Sequence, residues 1–261
     1  GWVGVDQEGG RVARLRSPFT EWPPMAVLGR SDDPGLASEF ARALAAELSA
    51  VGISLDYAPV LDIHTNPKNA VIGDRAIGEK PETVARLGRV IIEELQRAGV
   101  AACGKHFPGH GDTATDSHVE LPIVEHPPDR LRAVELVPFR AAIEAGVAFI
   151  MTAHVLVTSI DDERPATLSP RIVRHMLRDE LGYNGVIISD DLEMKAISNS
   201  CPSGEAAVAA IAAGCDSVLM CGVGGHANIE LQAQVLEALV HAVEDERLSV
   251  KHVEAALARN R

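Results

Sequence analysis

The sequence is poor in aromatic residues: two Trp, two Tyr and five Phe make up 3% of its 261 residues, which excludes an extended row of stacking platforms. It also has no CxxC pair. Cys103, Cys201, Cys215 and Cys221 stand apart, several in apolar or Ala-rich surroundings where a free cysteine packs as a small hydrophobe, so no disulfide framework is expected. Basic runs are missing too. Lys and Arg number 24 against 37 Asp and Glu, a formal charge of −13, and no stretch is suited to neutralising phosphates, which excludes nucleic acid as a partner. The longest apolar stretch, residues 206–222, is broken by Asp216 and reads as a helix, a Gly turn and a strand, so no membrane span is expected.

What the chain does have is a hydrophobic share of 46%, enough to bury one large core, and residues 1–261 are expected to form a single domain. A repeated phrase organises it, in which an amphipathic helix ends in Gly and a strand follows. It occurs at Val51-Gly52-Ile53, Ala98-Gly99-Val100, Ala145-Gly146-Val147, Leu181-Gly182-Tyr183 and Ala213-Gly214-Cys215. The first helix carries Leu36, Phe40, Leu44, Leu48 and Val51 behind the capping candidates Asp32 and Asp33. A second begins at Pro81 and presents Val84, Leu87, Ile91 and Leu95. Ser169-Pro170 is expected to cap and start a third, with Val173, Met176, Leu177 and Leu181 on its apolar face.

Strands are predicted over residues 2–6, 54–62, 101–107, 149–155, 185–191 and 217–221. Most are near-continuous apolar runs that finish in polar residues, the pattern of buried parallel strands. Asp6, Asp62, His106, His154 and Asp190 all fall at their C-terminal ends, which favours a barrel over a doubly wound sheet. Gly222-Val223-Gly224-Gly225 lacks the spacing of a dinucleotide loop, so the doubly wound alternative is the weaker one. Six strands do not close an eight-stranded barrel. The expected fold is therefore an α/β, (β/α)8 TIM-type barrel lacking the first two strands in this chain.

The densest chemistry follows the strand at 101–107. The thirteen residues from His106 to His118 hold three His and two Asp. Pro108, Gly109 and Gly111 permit a tight backbone, and Asp116 lies two residues before His118, a spacing that can orient and charge an imidazole for proton transfer. His106, His110, Asp112, Asp116 and His118 also offer the donor atoms of a divalent-metal site for assisted hydrolysis. Two further segments stand at strand ends, Asp6-Gln7-Glu8-Gly9-Gly10-Arg11-Val12 and Ser189-Asp190-Asp191-Leu192.

With the loop running from Lys105 through Thr113 to Asp116-Ser117-His118, these segments resemble glycoside hydrolase family 3, specifically its β-N-acetylglucosaminidases of peptidoglycan recycling and turnover. The resemblance extends over nearly the whole chain. Family members begin with two further strands before the DQEGG segment, in agreement with the count of six. The resemblance implies retaining exo-hydrolysis of terminal β-linked N-acetylglucosamine, with Asp190 as nucleophile, His118 as acid/base and Asp116 holding the His118 ring. On physics alone Asp191 is a rival nucleophile, because successive strand residues point to opposite faces and only one of the pair can face a pocket. The resemblance selects Asp190 and leaves Asp191 as a structural carboxylate capping the next turn.

The resemblance also assigns sugar binding to Asp6, Arg14, Arg75, Lys105 and His106. Surface ion pairing is the alternative for the two arginines. His154 is read as a structural residue bonded to neighbouring carboxylates rather than as pocket floor. With so few aromatic residues, a short pocket for one terminal sugar is expected. The expected ligand is an N-acetylglucosamine-containing saccharide or muropeptide, with no metal and no cofactor. Phosphorolysis is an alternative, since a His acid/base avoids a carboxylate that would repel phosphate. Another is a catalytically silent sugar-binding fragment, because an open barrel leaves two sheet edges exposed. The chain opens inside a strand, so any signal or lipid attachment is expected to lie upstream of it; a cytoplasmic location is favoured.

Overall fold

Asp33 opens the first long helix, Pro34–Ala50. Its Oδ1 accepts from Gly35 N at 2.8 Å and from Leu36 N at 3.4 Å, and Pro34 supplies a first turn that needs no amide donor. The buried stripe is Ala37, Phe40, Ala41, Leu44, Ala45 and Leu48, whereas Leu36 and Val51 are 44% and 51% exposed. Helical spacing puts Leu36 on the flank of that stripe, and Val51 lies beyond the last turn as the C-cap. The helix Pro81–Arg97 buries Val84, Leu87, Ile91 and Leu95 as its pattern predicts. The helix Arg171–Glu180, wound as a π-helix, buries Val173, Met176 and Leu177, but Ser169 does not cap it with its side chain. The Ser169 hydroxyl donates to Asp161 Oδ2 at 2.6 Å, and the Ser169 carbonyl receives the amides of Ile172 and Val173. All five predicted closing glycines, Gly52, Gly99, Gly146, Gly182 and Gly214, adopt positive φ.

The structure, a computed structural model, describes residues 1–117, 119–222 and 228–261. His118 and the Val223-Gly224-Gly225 part of the glycine-rich turn therefore lie outside the described residues. The chain divides into two compact units, Gly1–Ala114 with Pro127–Met151, and Thr115–His126 with Thr152–Arg261.

In the first unit the strands β1 (Gly4–Val5), β2 (Leu55–Asp56), β3 (Ala101–Phe107) and β4 (Phe149–Thr152, reaching the unit boundary) lie side by side in that order. Parallel pairing sets Val5 opposite Asp56 and Asp56 opposite Ala102. Every residue of β3 is buried, as its unbroken apolar start requires. Regular pairing in β2 covers only two residues of the predicted strand at 54–62, because Pro59 has no amide to give to a ladder. Contact with β3 continues there through carbonyls, with Cys103 N donating to Ala58 O and Lys105 N to Pro59 O, and Val60 bridges to Lys105.

In the second unit β5 (Val186–Asp191) pairs in parallel with β6 (Ser217–Leu219). A core of Leu192, Ile197, Ala206, Ala207 and Val235 packs beneath them. The stretch at 206–222 divides as predicted into the helix Ser203–Ala213, the Gly214 turn and β6. The chain thus has an α/β fold in which parallel strands alternate with helices, the βα order of a (β/α)8 barrel, with six such strands among the described residues. No helix among the described residues is long and apolar enough to cross a membrane.

Candidate active site

In the first unit, four of the five sugar-binding candidates form one line of ion pairs. Lys105, 2% exposed at the end of β3, places Nζ 3.0 Å from Asp6 Oδ1 and 2.6 Å from Glu8 Oε1. Arg75 ends the 3-10 turn Gly73–Arg75 and clasps Glu8 with two bonds, Nη2 to Oε1 at 2.7 Å and Nε to Oε2 at 2.9 Å. Arg14, 63% exposed, reaches Asp6 Oδ2 at 3.2 Å. Gln7 braces this end of the line: its Oε1 accepts from Arg14 N at 2.9 Å and Leu15 N at 3.0 Å, and its Nε2 donates to Leu15 O at 2.9 Å.

These charges are fixed by one another. Burial alone would raise the Glu8 pKa, but Lys105 and Arg75 bring it down to about 2. Burial likewise disfavours charge on Lys105, yet Glu8 and Asp6 hold its pKa above the ordinary lysine value against the opposing field of Arg75. Such a group tolerates burial because its partners are in place. Glu8, the hub of the network, lies within the DQEGG motif, and that motif is the signal in the sequence that points to it.

His106, the fifth candidate, belongs to a separate pair. Its Nδ1 lies 2.7 Å from Asp62 Oδ2, and its backbone N donates to the same oxygen at 3.2 Å. Asp62 Oδ1 accepts from His110 N at 2.6 Å. Burial pushes the Asp62 pKa up, but His106 and His110 outweigh it and hold the carboxyl below its ordinary range. Asp62 ends the strand predicted at 54–62, and its task shows only in the contacts with His106 and His110.

The His-rich loop is tight. A Cβ on Gly111 would fall 1.8 Å from the Ile63 carbonyl oxygen, so only glycine allows that approach. His110 Nδ1 lies 2.7 Å from Thr113 Oγ1, and Thr65 Oγ1 donates to Asp112 Oδ1 at 2.5 Å. Of the residues of the metal alternative, His106, His110 and Asp112 thus turn to separate partners, and no group of three His, Cys, Asp or Glu with metal-holding geometry occurs among the described residues.

In the second unit, Asp190 and Asp191 end β5. Asp190 Oδ1 accepts from Asp191 N at 2.8 Å. Asp191 Oδ1 accepts from Glu193 N at 3.1 Å and Cys221 N at 3.2 Å, so this carboxylate joins the turn after β5 to the residues after β6. Glu193 Oε2 accepts from Gly222 N at 2.7 Å and repeats the tie. His154 is fully buried, with Nε2 2.9 Å from the Asp191 carbonyl and Nδ1 2.8 Å from Thr167 Oγ1. Its ring nitrogens thus meet a hydroxyl and a backbone carbonyl. With Nε2–H donating to a carbonyl, the ring fixes the backbone one residue after Asp190. The Asp116 carbonyl accepts from Val119 N and Glu120 N, and the Ser117 carbonyl accepts from Ala196 N. The expected pairing of Asp116 with His118 falls outside the described residues.

Comparison with known proteins follows the same lines. The model of the glycosyl hydrolase family 3 N-terminal domain matches residues 2–260. A beta-hexosaminidase of Thiobacillus denitrificans is 43% identical over 225 residues, covering 84% of this chain and 62% of that protein. Beta-hexosaminidase A of Pseudoalteromonas piscicida is 36% identical, covering 99% of this chain and 46% of its own length. A solved glycoside hydrolase family 3 beta-N-acetylglucosaminidase from a Paenibacillus species superposes with a TM-score of 0.94 at 46% identity, over 99% of this chain and 48% of that one. The chain therefore spans about half to two thirds of the length of these relatives.

Proposed function

Because the chain belongs to glycosyl hydrolase family 3, we propose that residues 1–261 form one catalytic domain of a retaining exo-glycosidase that releases terminal, non-reducing β-linked N-acetylglucosamine. The names of its relatives support the sugar, and cell-wall muropeptides are the natural source we favour. The observation that carries the reading is the buried line Asp6–Lys105–Glu8–Arg75, where fixed charges at strand ends can bond sugar hydroxyls without reorganising. Arg14 and His106 complete the binding set.

In the proposed first step, Asp190 attacks the anomeric carbon, the glycosidic C–O bond breaks, and protonated His118 gives its proton to the leaving oxygen. In the second, neutral His118 takes a proton from water, whose oxygen attacks the anomeric carbon and frees Asp190. An ionised Asp116 beside the ring sustains the imidazolium needed first. Asp191 serves the backbone instead. No metal or cofactor is assigned a part.

The test is aryl release from 4-nitrophenyl N-acetyl-β-glucosaminide by the purified chain, with Asp190→Ala and a chelator beside it. Turnover that survives the chelator and disappears in the variant supports the reading; a sugar 1-phosphate formed in phosphate buffer redirects it to phosphorolysis. No turnover from folded chain favours the silent sugar-binding fragment. His118→Ala is expected to slow natural oligosaccharides by about 10²-fold or more and activated aryl glycosides far less, since those leaving groups need little protonation. Equal losses on both substrates count against His118 as the acid.

A further inference from the structure

Beneath the Lys105 network lies a carboxyl group that the mechanism does not use. Asp56 ends β2 and is 0% exposed. Its Oδ1 accepts from the backbone N of Gln7, the residue between Asp6 and Glu8, at 3.0 Å. Its Oδ2 has no hydrogen-bond partner among the described residues. A buried oxygen left without a partner is uncommon and calls for a reason.

The charge balance above it supplies one. Inside the protein Lys105 and Arg75 stand against Glu8 and Asp6, whose outer oxygen meets the exposed Arg14, and a neutral sugar brings no further charge. An ionised Asp56 would make three carboxylates for the same two buried cations. Burial pushes the Asp56 pKa up to about 7; the Gln7 amide and Lys105 oppose that rise, while Glu8 and Asp6 add to it. The groups acting on Asp56 are thus Asp6 and Glu8 from the segment around β1 and Lys105 from β3.

We propose that Asp56 is a positioning residue of the sugar site: as a neutral acid it anchors the backbone between Asp6 and Glu8 and leaves Lys105 to those two carboxylates, and on ionising it draws Lys105 away and weakens sugar binding. The bond that yields first is the 3.0 Å contact of Lys105 with Asp6, since the 2.6 Å contact with Glu8 is the shorter of the two. Asn at position 56 keeps an oxygen for the Gln7 amide and cannot ionise. The proposal rests on reading the Lys105 cluster as the sugar site, so it is tested in two separable parts.

The first part needs no activity. For an acid whose pKa is raised on folding, the contribution to stability is full below the ordinary aspartate pKa and is lost as pH rises through about 7. The melting temperature of Asp56→Asn minus that of the wild type should therefore climb between pH 5 and 7 and level off above; a constant difference overturns the neutral acid. The second part compares KM for 4-nitrophenyl N-acetyl-β-glucosaminide at pH 8 and pH 6. If only the neutral form binds well, KM rises about tenfold in the wild type, while the ratio stays near one in Asp56→Asn and in the smaller, equally uncharged Asp56→Ser. The same rise in the variants overturns the proposal. Should the chain show no turnover, N-acetylglucosamine titrated by calorimetry at the two pH values reads the same ratio. A normal melting result without turnover then places the fault in the proposed reaction and not in Asp56.

Discussion

Lys105 and Asp191 are both ionisable residues at the ends of parallel strands, yet the chain secures them by different means. Lys105 is held by carboxylates, Asp6 and Glu8, and Glu8 is held in turn by Arg75. Asp191 is held by backbone amides, those of Glu193 and Cys221, with its carbonyl on His154. A charge secured by other charges depends on every partner keeping its protonation state. A carboxylate secured by amides depends only on the local backbone. The first unit is therefore sensitive to acid and to single charge changes, whereas the second offers a fixed position for the nucleophile proposed above.

The largest expected effect separates the neighbours at the end of β5. Asp190→Ala should lower kcat by on the order of 10⁴-fold or more, and Asp191→Asn by much less, through a loosened turn; equal losses in steady-state assays would erase the distinction between the attacking and the anchoring residue. Glu8→Gln strikes the other unit. It leaves Lys105 buried against Asp6 alone and strips Arg75 of its clasp, and should lower stability in urea unfolding by about 3–5 kcal/mol. Because the Glu8 pKa is lowered on folding from 4.5 to about 2, its contribution is present above pH 4.5 and disappears as pH falls through about 2. The gap between wild type and Glu8→Gln should narrow over that window; a gap that persists at pH 2 would mean packing, not charge, holds the network.

His154→Ala should cost about 1 kcal/mol by removing one of the two donors to the Asp191 carbonyl, which keeps the amide of Met194 at 3.1 Å. If the ring positions Asp190 through that carbonyl, kcat falls more than KM changes. A loss of stability alone would make His154 a purely structural residue. Arg14→Ala should be the mildest change, within about 1 kcal/mol in stability because its ion pair is exposed, with a KM several-fold higher marking its part in binding. An unchanged KM would reduce Arg14 to a surface pair.

The alternation of strand and helix was legible because each βα step carries its own local signal: a Gly that stops a helix, then an unbroken apolar run. The strand predicted at 101–107 matches β3 residue for residue, since nothing in Ala101 to Phe107 interrupts pairing. Local chemistry also explains the errors. Pro59 cut short the regular pairing of β2, and with Pro170 as the helix N-cap the Ser169 hydroxyl turns to Asp161 instead. The motifs pointed to strand ends but not to the pairs formed there. Glu8 meets Arg75 across 67 positions and Asp62 meets His106 across 44, distances over which one sequence carries no record of contact.

The double tie of Asp191 and Glu193 to Cys221 and Gly222 has a consequence for how such a chain can diversify. Both anchors lie at the root of the segment that follows β6, so lengthening or shortening the chain beyond Gly222 transmits little strain to Asp190. A change of length there then leaves the end of β5, and with it the proposed nucleophile, in place.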